Sequence, residues 1–222
     1  MAWWGYVALS VANVVGHLVD APLLVTVTKP LLMPVLAVWL WRSTSHPRVV
    51  RLVTIGLGWS WLGDLALMGD GEAWFLAGIG AFAVAQVLYT VAFWPAARDG
   101  LPRRRPVVLL PYLAVWVAMM PFLATRVDDL FVPVAIYGLL LVAMAALAVG
   151  VHRLTAIGAA LFVVSDALIA LTALAGLTVP ASGALVMATY TAAQGLIALG
   201  VHRHAAAEGH AHVSDPRPTS AA

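Results

Sequence analysis

Three charged side chains stand inside long apolar stretches: Lys29, Asp64 and Asp166. Asp64, in "GWSWLGDLALM" (58–68), is the only charge between Arg51 and Asp70. At the middle of a bilayer each such charge costs at least ~2.5–3.5 kcal/mol on the insertion scale, so each is expected to face a helix-bundle interior or a wet cavity. Two carboxyl groups in different surroundings can divide acid and base work between them. Removal from water favours the uncharged form of a carboxyl group, which is the form a general acid needs. The same three residues would also suit a proton-coupled carrier. A buried Lys–Asp pair can equally do no more than fix helix register, but that reading leaves the second Asp without a cation.

The elements that position these charges follow from composition. The chain has 222 residues, 63% hydrophobic and 10% charged, with a mean hydropathy of +0.95. A soluble domain of this length needs a far more polar surface. Nine Trp and thirteen Pro fit spans with interfacial anchors and tolerated kinks. The fold class is all-α and polytopic, with eight transmembrane helices at 3–19, 23–41, 49–68, 74–95, 107–124, 131–150, 155–175 and 182–200. These form one membrane domain over residues 1–200, followed by a polar tail over 201–222 that is expected to be disordered and cytoplasmic. By ~1.5 Å of rise per residue, Asp64 falls near one end of span 3, Lys29 in the same half of span 2, and Asp166 near the middle of span 7. Three charges at similar depth on different helices read as one site.

Arginine sets the orientation. Arg42, Arg48, Arg51, Arg98, Arg103, Arg104, Arg105, Arg153, Arg203 and Arg217 share a side with both termini. The other side has Arg126 alone, with Asp20, Asp70, Glu72, Asp128 and Asp129. The positive-inside rule puts both termini in the cytoplasm of a cell-membrane protein and Asp64 near the outer surface. The start "MAWWGYVAL" lacks a basic n-region, so no cleavable signal peptide is expected. The absence of Cys excludes disulfides and thiolate metal sites. A net charge of +2 is too small to suggest nucleic-acid binding. No metal or other cofactor is expected: His17 alone lies within a span, and His204, His210 and His212 in the tail have nothing to preorganise them.

Further polar residues share helix faces: Asn13 with His17, Gln86 with Tyr89, and Tyr190 with Gln194. Such spacing suits the lining of a polar, substrate-binding cavity; interhelical hydrogen bonding is the alternative for each pair. Pro30 and Pro34, in "TKPLLMP", each remove a helical hydrogen bond beside Lys29, either opening a pocket or only bending the helix. "LGDLAL" (62–67) resembles "VSDALI" (164–169), and "AQVLY" (85–89) resembles "AQGLI" (193–197). A parallel 4+4 pseudo-repeat would bring Asp64 and Asp166 together.

"KPLLMPVL", "LGDLALM", "FLAGIGAFAVAQVLYTVAF" and "GAALFVVSDALIAL", in this order and spacing, resemble the YhhN family of membrane lysoplasmalogenases. The resemblance covers most of the chain. It implies an eight-helix membrane enzyme that hydrolyses the vinyl ether bond of lysoplasmalogens, releasing a fatty aldehyde and a glycerophospho-head group. It puts Lys29, Asp64 and Asp166 on the family's motif charges. Its chemistry calls for a proton delivered to the β-carbon, then water added to the resulting cation. Asp166 is expected to be the acid and Asp64 the base or ion stabiliser. Lys29 would hold the substrate phosphate or keep Asp64 ionised. The substrate is a lysophospholipid from the bilayer. At Gln86 the chain departs from the family, in which this position is often His; glutamine cannot shuttle protons, so no acid–base role is expected there. The alternatives are a proton-coupled small-molecule or lipid transporter and a non-catalytic lipid-binding membrane protein.

Overall fold

The computed structural model describes residues 1–100, 104 and 106–213, and every regular element among them is helical. They are α1 (Ala2–Leu18), α2 (Pro22–Arg42), α3 (Arg48–Ala66), α4 (Glu72–Asp99), α5 (Leu110–Ala124), α6 (Phe131–Ala148), α7 (Arg153–Ile169) and α8 (Ser182–Val213). Short 3-10 turns lead into α5 and α6, and a π turn, Ala170–Leu174, extends α7. Six of these segments are long and apolar enough to cross a membrane, so the chain is a multi-pass membrane protein. The expected count of eight is approximate. α1 has 17 residues and α5 has 15; at ~1.5 Å per residue α5 alone covers about 22 Å of a ~30 Å hydrocarbon core.

Turn chemistry sets the breaks. Pro22 opens α2, where a missing N–H costs nothing. Gly71 precedes α4 with φ of 94°, a backbone state that side chains disfavour. His152 caps α7 by accepting the Leu154 N–H at 3.1 Å. Inside α2, Pro34 has no N–H for the carbonyl of Pro30, and the indole of Trp61 on α3 donates to that oxygen instead, at 2.9 Å. The proline bend beside Lys29 is thus tied to the helix that carries Asp64.

The closest packing joins α7 to α8, α3 to α4, and α1 to α2. α8 is the central helix, touching α1, α2, α3 and α7, whereas α5 packs mainly on α6. The repeated motifs pack by a common rule. A Cβ at Gly56 would run into the Tyr89 ring between α3 and α4, and one at Gly158 would meet the Ala193 carbonyl at 2.6 Å and Ile197 N at 2.8 Å between α7 and α8. In both halves a glycine lets the helix bearing the aspartate lie close against its successor.

The expected disordered tail is corrected over 201–213. α8 continues to Val213, with Val201 and Ala205 buried against the bundle and His204 3.4 Å from Glu208 one turn on. The tail is polar but rich in alanine, the best helix former, and it prolongs a helix that has already been nucleated. Residues 214–222, and with them Arg217, lie outside the described residues, as do Arg103 and Arg105.

Candidate active site

Lys29, Asp64 and Asp166 line one cavity. It lies at the end of the bundle away from the arginine-rich connections, between the last turns of α3 and α7 and the first turns of α4, α6 and α8. Asp64 is 3% exposed, on the last full turn of α3, and Asp166 is partly buried. Phe75, Ile79, Phe82, Leu174 and Met187 supply apolar walls. The unfilled space, open mouth included, is about 680 Å3.

Each carboxylate is held by a tyrosine hydroxyl. Tyr190 on α8 donates to Asp64 Oδ2 at 2.7 Å, and Tyr137 on α6 donates to Asp166 Oδ2. The Tyr190 ring stands edge-on to Phe82 (5.9 Å between centroids) and Phe162 (5.6 Å). Those two rings in turn meet edge-on at 6.3 Å. This triangle joins α4, α7 and α8 beside Asp64, and Gly63 makes room for it, since a Cβ there would meet the Phe82 ring at 2.6 Å. Ser165, next to Asp166, donates to the Val186 carbonyl at 3.2 Å and pins α7 to α8.

Beyond Asp166 the α7 backbone widens into the π turn, which puts Ala170 and Leu174 on the cavity wall. Single π turns of this kind are common at functional sites. Lys29 is partly buried and lies within electrostatic reach of Asp64 and His17. It forms no ion pair within 4 Å among the described residues.

The remaining candidates lie elsewhere in the bundle. Of those read as substrate-binding, Lys29 and Tyr190 line the cavity. Asn13 ties α1 to α2, donating to Thr28 Oγ1 at 2.9 Å and the Val25 carbonyl at 3.3 Å. Tyr89 donates to Gln194 Oε1 at 2.9 Å, and Gln194 Nε2 donates to Ser60 Oγ at 3.0 Å, which links α4, α8 and α3 in the core. These three act as interhelical hydrogen-bonding groups. Gln86 is fully buried with neither amide atom hydrogen-bonded; Tyr137 is its polar neighbour. Tyr137 was missed in the sequence reading. Its signal was available, for it is the one polar side chain in α6, "FVPVAIYGLLLVAMAALA". Among the described residues no three His, Asp or Glu side chains converge as a metal site.

A cavity with two tyrosine-held carboxyl groups, one ammonium and apolar walls offers proton-exchanging groups beside surfaces that suit an amphiphile. Comparisons with known proteins place the chain among relatives. Lysoplasmalogenase TMEM86A of Bos taurus is 33% identical over 195 residues, covering 75% of this chain and 74% of that protein. Lysoplasmalogenase TMEM86B of Homo sapiens is 33% identical over 172 residues, covering 76% and 71%, and the Rattus norvegicus protein of that name is 32% identical over 176 residues, covering 79% and 72%. No solved structure gives a significant match. The YhhN family matches residues 24–201, a range that begins in α2, ends in α8 and contains the whole cavity, and the chain belongs to that family.

Proposed function

We propose that this protein is a membrane hydrolase that cleaves the vinyl ether bond of lysoplasmalogen-like lysophospholipids. The observation that carries the reading is the meeting of Asp64 and Asp166, from two separate helices, in one apolar-walled cavity with Lys29. The curated relatives are lysoplasmalogenases, and nothing in the comparisons favours a carrier or a non-catalytic lipid binder.

Asp166, as the carboxylic acid, gives its proton to the β-carbon of the vinyl ether. The double bond supplies the electron pair, and an oxocarbenium ion forms at the carbon bonded to oxygen. Asp64, as carboxylate, faces that cation and takes a proton from the water that adds to it. As the resulting hemiacetal collapses to aldehyde and glycerophospho-alcohol, Asp64 gives its proton to the departing glycerol oxygen and Asp166 takes the hemiacetal hydroxyl proton, so both carboxyl groups regain their starting states and one water is consumed. Tyr190 orients Asp64 and Tyr137 orients Asp166. Lys29, which has no ion-pair partner within 4 Å among the described residues, is available to the substrate phosphate. On the same reading the arginine-rich end and both termini face the cytoplasm, and the cavity opens in the outer half of the cell membrane.

Protonation at carbon is the distinguishing step. Purified protein acting on a vinyl ether lysophospholipid in heavy water is expected to release aldehyde with one deuterium on the carbon next to the carbonyl, read by mass spectrometry after rapid trapping. A control establishes that the aldehyde itself does not exchange. Aldehyde without excess deuterium refutes the role of Asp166, and no hydrolysis of any vinyl ether refutes the activity.

A further inference from the structure

Behind Tyr137 and Asp166 lies a second hollow, a groove between α5, α6 and α7. It shares Val134, Tyr137, Asp166 and Ala170 with the cavity, so the two hollows adjoin at these residues. Apart from those shared residues its lining is almost wholly hydrocarbon and thioether, including Met119 and Met120 of α5 and Val163 and Ala167 of α7. Its unfilled space is about 460 Å3.

The groove is open on its outer side because α5 packs mainly on α6 and leaves α7 partly uncovered. Val115, at its rim, is 42% exposed, which in a membrane means exposed to lipid. Trp116 is fixed there by its indole N–H, which donates to the Ala135 carbonyl at 3.1 Å. Gly138 leaves room for that ring, since a Cβ would meet it at 3.2 Å. From Ala170 to Val163 the groove follows α7 for about 10 Å toward the arginine-rich end, at ~1.5 Å per residue.

We infer that this groove is the site of the substrate's hydrocarbon chain, entered sideways from the bilayer, and that it fixes which carboxyl group is the acid. This rests on the hydrolase reading above. In a vinyl ether lipid the β-carbon that receives the proton is the second carbon of the chain itself. The proton donor must therefore stand where the chain begins. Asp166 lines both the groove and the cavity, whereas Asp64 and Lys29 line the cavity alone. With the chain in the groove, its first carbons lie beside Asp166. The glycerophospho side then lies toward Asp64 and Lys29, where water adds and a phosphate meets an ammonium. The methionines suit this occupant, because their flexible thioethers adapt to a chain of no fixed shape.

The test compares two vinyl ether lysophospholipids of one head group, one with a long chain and one whose chain ends just past the double bond. Met119 is partly exposed, and Met119→Trp fills the groove from its rim. It is expected to lower kcat/KM for the long chain by at least about tenfold and to leave the short chain within about twofold. Equal effects on both substrates, or none on either, overturn the groove as chain site while the hydrolase reading stands. Failure of the unaltered protein to cleave either substrate removes the hydrolase reading and this inference with it. A second measurement needs no variant. A non-cleavable alkyl ether lysophospholipid with a photoreactive group at the chain end is cross-linked to the unaltered protein and mapped by mass spectrometry. Label on α5 and α6, displaced by excess unlabelled lysolipid but not by diacyl lipid, supports the site. Label spread over all lipid-facing helices, or centred on the separate hollow between α1 and α8 that Trp3 and Leu196 line, overturns it.

Discussion

Tyr190→Phe isolates one hydroxyl. The ring that remains keeps its edge-on contacts with Phe82 and Phe162, at 5.9 and 5.6 Å, so α4, α7 and α8 stay packed. What is lost is the 2.7 Å bond to Asp64 Oδ2. A hydrogen bond to a charged group is worth about 1.5–3 kcal/mol. At about 1.36 kcal/mol per tenfold, losing it where Asp64 must act as an anion lowers kcat by roughly tenfold to a little over a hundredfold. KM is expected to change little, because Tyr190 acts through Asp64 rather than on the head group. Steady-state hydrolysis of a vinyl ether lysophospholipid in detergent, with a thermal melt of the same sample, measures both. Tyr89→Phe is the control: it removes an equally buried hydroxyl, bonded to Gln194 at 2.9 Å and away from the cavity. It is expected to cost about 0.5–1.5 kcal/mol of stability with little loss of kcat. Near-normal kcat in well-folded Tyr190→Phe, or equal losses in the two variants, refutes the proposal that Tyr190 supports Asp64 in the reaction.

Asp64→Asn and Asp166→Asn are each expected to lower turnover by at least about a hundredfold while leaving the melting profile in place, which the same assay reports. Gly158→Ala puts a methyl 2.6 Å from the Ala193 carbonyl and is expected to destabilise by about 1–3 kcal/mol. Gly58→Ala meets nothing within 4 Å and is expected to be neutral or slightly stabilising in a parallel melt. Burial, with Arg203 and Arg153 nearby, holds the His152 imidazole below the usual histidine pKa of 6.5, so the unfolded chain takes up that proton first as pH falls. Stability from this group is present above pH ~6.5 and is lost as pH drops toward the lowered folded value. His152→Ala is expected to cost about 1 kcal/mol at neutral pH through loss of the α7 cap, and to flatten the acid side of a Tm-against-pH curve.

The sequence by itself determined the class of protein and its three central charges. Apolar runs long enough to span a bilayer admit only helices there, because a backbone without water must bond within itself. A lone Asp in such a run is costly enough to point to a purpose. Similar depth and the repeated motif pointed to Asp64 and Asp166 as neighbours, and both line one cavity. Side-chain direction was not legible in this way. Asn13, Tyr89 and Gln194 had the spacing of a cavity lining, yet each bonds to a neighbouring helix, since a face can be polar toward a partner as readily as toward a ligand. Tyr137 stands out in the sequence as the one polar side chain of α6, but its partner Asp166, 29 residues away in the chain, is decided by the packing of α6 on α7. Composition likewise could not tell that the tail prolongs α8, because an alanine-rich polar segment folds or frays according to what it continues. The groove behind Asp166 depends on α5 standing away from α7, and that spacing is set by how large and small side chains meet between helices, which no local pattern encodes.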